Sequence, residues 1–162
     1  MPNLQDEENT RQGLPSVAEL AVVKDRASTV TITHAAGAAN KLRMTVTAKD
    51  ADGVTVAGIQ NFLLWASEAA SGAGLTGDTY SGDLVAVTGS VLMSIGDLHG
   101  VSGALALVAP KKRVWIVQTD ASGVFVGDLT DTAKPADQYF CVQRPLDGRA
   151  VVSAISSTNW GA

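Results

Sequence analysis

The stretch Asn40–Ala66, NKLRMTVTAKDADGVTVAGIQNFLLWA, decides the fold. Within it Leu42, Met44, Val46 and Ala48 alternate with Arg43, Thr45, Thr47 and Lys49. That period of two buries one face of a strand and wets the other. Asp50-Ala51-Asp52-Gly53 then supplies a turn, because aspartates bond nearby backbone amides and Gly53 can adopt positive φ. Ile59 to Ala66 is almost continuously apolar, which suits a strand covered on both sides or a core strand with Trp65 pointing inward. No residue of the stretch is equipped for chemistry.

Outward from it the chain continues in β fashion. Ser28–His34 (STVTITH) is rich in β-branched residues and reads as a strand. Arg113–Thr119 (RVWIVQT) reads as another, followed by a second Asp-x-x-Gly turn at Asp120–Gly123 and a strand over Val124–Leu129. Gln138–Gln143 and Arg149–Ser156 flank Asp147-Gly148, a strong hairpin signal. Between the two halves, Ser67–Gly82 reads as a loop, and short strands are expected at Leu84–Thr88, Val91–Ile95 and Ala104–Val108. Eight of the 16 glycines fall within residues 67–111, so this part is expected to add little core of its own.

The expected architecture is all-β, a sandwich over residues 28–156 containing a Gly-rich insertion at 67–111, with an N-terminal arm (1–27) and a short tail (157–162) carrying Trp160. In the arm, Ser16-Val17-Ala18-Glu19 has capping-box spacing and supports a short helix over Val17–Arg26. A strand through Leu20–Val23 competes with that reading.

Composition excludes several functions. A net charge of −4 and a pI near 5.0 argue against a nucleic-acid surface, which needs clustered cations. The basic cluster Lys111-Lys112-Arg113 reads as a solvated strand edge. The single cysteine, Cys141, permits no intrachain disulfide and no multi-cysteine zinc site, and reads as a small buried hydrophobe. No run approaches the roughly 20 apolar residues of a membrane span, and Met1–Ser16 lacks the basic start and apolar centre of a secretory signal. Synthesis in a cytoplasm is the expectation.

The residue types that carry catalysis are present without their spacings. His34 and His99 are far apart and read as exposed or strand-edge histidines. Asp50-x-Asp52-Gly53 lacks the later acceptors of a calcium loop. Asp128 and Asp131 read as solvated charges, and Ser90, Ser94 and Ser102 lack a nucleophile elbow. Gly72-x-Gly74-x-x-Gly77 is followed by no helix-forming pattern, so it is a loop. The expectation is a protein that is no enzyme and holds no metal or cofactor.

Thr45–Gly58 (TVTAKDADGVTVAG) resembles the opening of bacterial immunoglobulin-like domains of the invasin and intimin type, and Thr119–Val124 resembles their threonine–aspartate–glycine turn. The resemblance covers residues 40–66 and 113–156 and implies an immunoglobulin-like β-sandwich. It places Trp65 late in strand C and sets Tyr139 two residues before Cys141, the spacing of a tyrosine corner, so Trp65, Tyr139 and Cys141 are the expected core residues. The whole chain is also similar to small immunoglobulin-like proteins encoded among the head genes of tailed bacteriophages. That likeness implies a virion structural protein that decorates or cements the capsid by binding the major capsid protein lattice, with a homo-oligomer, possibly trimeric, as the assembly. The arm supplies the expected contact residues Leu4, Leu14, Val17 and Leu20. Alternatives are a phage tail or fibre component touching the host surface and a bacterial surface adhesin module.

Overall fold

The computed structural model describes residues 26–77, 80–87, 89–95, 98–101, 104–107 and 113–162. Among the described residues eleven strands are formed: β1 (Thr29–Ala36), β2 (Lys41–Lys49), β3 (Asn61–Ser67), β4 (Leu84–Ala86), β5 (Val91–Ile95), β6 (Leu98–Val101), β7 (Ala104–Leu107), β8 (Val114–Gln118), β9 (Val124–Thr130), β10 (Tyr139–Gln143) and β11 (Ala150–Ala154). A 3-10 turn, Ser157–Asn159, follows.

The strands form an antiparallel four-stranded sheet in the order β1-β2-β9-β4 and an antiparallel five-stranded sheet in the order β11-β10-β3-β8-β5. The two layers bury one core between them, the arrangement of a β-sandwich. A separate two-stranded ribbon joins β6 to β7.

The alternation in β2 does what its pattern requires. Leu42, Met44, Val46 and Ala48 have no solvent exposure, while Arg43 and the threonines lie on the outer side. The register Thr31↔Thr47 and Thr33↔Thr45 continues that hydroxyl-bearing outer face onto β1. The Asp50 turn is closed by its own carboxylate: Oδ1 accepts from the amides of Asp52 (3.0 Å) and Val54 (2.8 Å), with Gly53 at φ +79°. Asp120 repeats the device, accepting from the amides of Ser122 (2.9 Å) and Val124 (3.1 Å). These bonds hold the Asp120 carboxyl below its ordinary range, the Ser122 side chain contributing most. The strands on either side of the first turn do not pair with each other: β2 lies in one sheet and β3 in the other.

The core differs from expectation at its aromatic centre. Trp115 of β8 is fully buried and meets Phe140 and Tyr80, with ring centroids 6.2 and 6.1 Å apart. Trp160, from the C-terminal tail, is 4% exposed, lies tilted against Tyr80 and donates from its indole to the carbonyl of Pro135 (2.9 Å). Tyr80 and Leu84 lie in the Gly-rich part that was expected to add little core, yet both are buried in it. The tail is thus a plug. Gly161 sits so close to the β1–β2 turn that an added Cβ would come within 2.1 Å of the Ala38 carbonyl oxygen.

His34 lies on an edge strand, as read from the sequence, but its ring turns inward against Phe140, at a centroid distance of 5.7 Å. Both ring nitrogens are buried without a hydrogen-bond partner. Burial lowers its pKa to about 4; the nearby Ser153 backbone, outside hydrogen-bond geometry, offsets this only in part. Asp128 and Asp131 are not solvated charges. Asp128 is 8% exposed and forms a two-pronged pair with Arg43 (2.8 and 2.9 Å), which depresses its pKa, and Asp131 is 4% exposed and caps the amide of Ala133 (3.0 Å).

Candidate functional site

The two outer faces of the sandwich differ in chemistry. The four-stranded sheet shows solvent Thr31, Thr33, Thr45, Thr47 and the Arg43–Asp128 pair. The five-stranded sheet turns outward Leu63 and Trp65 from β3, Val114 and Ile116 from β8, and Tyr139 and Cys141 from β10. Inward-facing Phe62, Leu64 and Ala66 alternate with them along β3. Both faces of this strand are therefore apolar, which accounts for the unbroken apolar run in the sequence.

This corrects the assignment of Trp65 and Tyr139 to the core, while Cys141 is fully buried as expected. Trp65 is half-buried on the outer face, because β3 alternates and Phe62, Leu64 and Ala66 hold the inner positions. Its cross-strand partner is Cys141. Cys141 is buried, as a small hydrophobe should be, but under a surface loop: a Cβ on Gly72 would lie 3.0 Å from its sulfur. Burial pushes the thiol up to about 11, so it is protonated and unreactive at neutral pH. Tyr139 is half-buried beside Ser67 and does not fill the interior. The buried phenol is that of Tyr80, whose hydroxyl donates to Gln138 Oε1.

The loop over Cys141 runs from Glu68 to Gly77 and is tied down along its length. The indole of Trp65 donates to the Gly72 carbonyl (2.9 Å), and Ser67 Oγ donates to the Ala73 carbonyl (3.0 Å). The Thr76 amide donates to Ala66 O (2.9 Å), and the Glu68 carboxylate accepts from Gly77 N (2.7 Å) and Thr76 Oγ1 (3.2 Å). Gln138 Nε2 donates to Thr76 Oγ1 (3.2 Å), so one polar chain links the surface loop to buried Tyr80. Gly72 and Gly74, at φ +74° and +73°, supply the left-handed backbone the loop needs.

Between this loop and the β10–β11 turn lies an open cleft of about 330 Å³. Leu63, Trp65 and Val114 form its floor, Gly72, Gly74 and Leu75 one wall, and Gln143 and Gly148 the other. It continues across Leu63, Gln143 and Gly148 into a second, more polar hollow of about 300 Å³ bordered by Asn61, Arg144 and Pro145. The rim turn is held by Arg144, which donates from Nε to Asp147 Oδ1 (2.7 Å) and holds the Asp147 carboxyl down at about 2. Leu75, on the rim, is 41% exposed. An aromatic and aliphatic floor with a few amide and guanidinium groups at the edge is fitted to bind apolar side chains. Among the described residues no group of three His, Cys, Asp or Glu side chains could hold a metal ion, and no helix is long and apolar enough to cross a membrane.

The arm residues Leu4, Leu14, Val17 and Leu20, the Ser16–Glu19 box and the Lys111-Lys112 pair lie outside the described residues. Comparison of the chain with protein-family models, with curated proteins and with solved structures finds no match.

Proposed function

We propose that this chain is a structural protein of a tailed-bacteriophage virion, a capsid decoration or cement module that binds the major capsid protein lattice and stabilises the head. The observation that carries the reading is the difference between the two outer faces: an apolar face with an open cleft on one side, a threonine-rich wet face on the other. A module that covers a protein shell needs one surface to exclude water against its partner and one to meet solvent.

The finer fold belongs to the same proposal. The order β1-β2-β9-β4 corresponds to strands A-B-E-D of an immunoglobulin-like sandwich, and β3-β10-β11 to C-F-G, with β8 and β5 added beyond strand C. The departure from that pattern is the core tryptophan, which comes from β8 and not from strand C. A closed homo-oligomer, with a trimer as the simplest form, would cover the free edges of β5 and β11. The test is co-sedimentation of the purified protein with expanded capsids. Saturable binding that Leu63→Asp and Leu75→Asp abolish supports the reading, and binding unchanged by both substitutions refutes it.

A further inference from the structure

The two large sheets end on the edge strands β1 and β4 and on β11 and β5. Three of these edges are blunted: β4 has three residues, β5 is interrupted by a bulge between Leu92 and Ser94, and β11 has five residues beside the exposed Arg149. β1 carries no such protection. It runs eight residues (TVTITHAA) without Lys, Arg, Asp, Glu or Pro, in unbroken register with β2 from Thr29↔Lys49 to Ala36↔Leu42. Gly37 N donates to Lys41 O (3.0 Å) in that same register, while Ala48 N donates to Gly123 O (2.9 Å) on the β9 side. Odd positions of β1 therefore bond β2, and the amides and carbonyls of Val30, Ile32, His34 and Ala36 point away from the sheet. Among the described residues none of these four has a backbone partner. We propose that this edge pairs with the β1 edge of a second copy of the chain, antiparallel about a twofold axis at Thr33.

The edge is complementary to itself. The four unpaired residues are symmetric about Thr33, so Val30 faces Ala36 and Ile32 faces His34 of the second copy, and every outward N–H and C=O of the strand gains a partner. On the outer side Thr33 meets its own copy, flanked by Thr31 against Ala35, all small exposed side chains suited to the close spacing of such pairs. No charged side chain of β1 meets its copy at the axis. The cations of β2, Lys41, Arg43 and Lys49, lie one strand back, and Arg43 is held by Asp128. β11 of the other layer lies beside β1 without pairing with it. Residues opposite each other in an antiparallel pair project to the same side, so the axis stands perpendicular to the sheet and the apolar outer faces of both copies point the same way. The dimer is a property of the free chain and stands apart from the lattice reading. If both hold, two clefts engage one partner surface together, and the second engagement is intramolecular.

Sedimentation equilibrium of the full chain is expected to give twice the chain mass of 16.7 kDa. Thr33 is exposed on the outer face, so Thr33→Lys and Thr33→Glu each set like charges across the axis. Each variant alone is expected to halve the mass while keeping the circular dichroism spectrum of the native chain. Mixing the two in equal amounts is expected to restore the dimer, which a mere loss of folding would not do. Oxidised Thr33→Cys is expected to run as a disulfide-linked dimer, with the native chain as the control for the buried Cys141. A monomeric native chain would mean that β11 closes this edge, and a trimer would assign association to the other edges. A dimer that survives Thr33→Lys, or that gives no bridge with Thr33→Cys, would assign it to another surface. Each of these outcomes overturns the proposal, while co-sedimentation with capsids tests the lattice reading separately.

Discussion

Replacing Trp115 and Trp65 in turn by alanine separates the interior of this protein from the apolar outer face of its five-stranded sheet. Trp115 has no solvent exposure, touches Tyr80 and Phe140, and leaves its indole nitrogen without a hydrogen-bond partner. Its contribution is therefore packing alone, and truncation opens a cavity that its two aromatic neighbours cannot fill, at a cost of about 3–5 kcal/mol. Against a typical domain stability of about 5–15 kcal/mol, that is a large share. Trp65 loses one hydrogen bond, to Gly72, and the burial of one part of a ring that already faces an open cleft. About 1–2 kcal/mol is expected for that change. Urea unfolding followed by far-ultraviolet circular dichroism measures both, with equal slopes as the check that the transition stays two-state. Should Trp65→Ala destabilise as much as Trp115→Ala, the faces of β3 have been assigned the wrong way round.

Other outcomes follow from the same geometry. His34 has its pKa lowered on folding, so its contribution to stability is whole above pH 6.5 and is lost as pH falls toward about 4. After discount for its partial exposure this amounts to about 1 kcal/mol between pH 6.5 and 5, a window in which the depressed aspartates stay ionised; His34→Leu should flatten the unfolding free energy there, and an unaltered pH slope would contradict the assignment. Gly123→Ala is expected to cost several times more than Gly74→Ala: both have positive φ, worth about 1–2 kcal/mol, but a Cβ on Gly123 would lie 1.9 Å from the Val56 carbonyl oxygen and one on Gly74 meets nothing. Equal melting temperatures for the two variants would show that the Asp120 turn does not press on the segment around Val56. Cys141 should resist a thiol reagent in the native protein and react after Gly72→Val lifts the loop; rapid labelling of the unaltered chain would mean that the loop does not cover it.

Much of the framework is readable in the amino-acid order. Alternation in β2 and the Asp-Gly turns announce themselves because the physics is local: a pleat of period two, and a carboxylate that bonds amides two and four residues on. Trp65 was misplaced by the same alternation read without a phase. The run Phe62-Leu-Leu-Trp-Ala66 is apolar on both faces, and only the partner strands decide which face meets the other sheet. The contribution of Tyr80 was hidden for a different reason. It stands alone among glycines and small polar residues, so no periodicity marks it, and it reaches the core through long-range contacts with Gln138, Trp115 and Trp160. The cleft itself joins residues far apart in the chain, Trp65 with Val114 and Gly148, and no local pattern brings those together. What the sequence does offer is the doubly apolar strand, a sign that something covers its second face.

The apolar outer face of the five-stranded sheet is proposed above as the docking surface for a capsid lattice. Cryo-electron microscopy of the intact virion tests it most directly. Density for this sandwich is expected on the head, with Leu63, Trp65 and Leu75 against the shell and the threonines of β1 and β2 toward solvent. Density confined to the tail, or a head-bound sandwich with its threonine face against the shell, would contradict it.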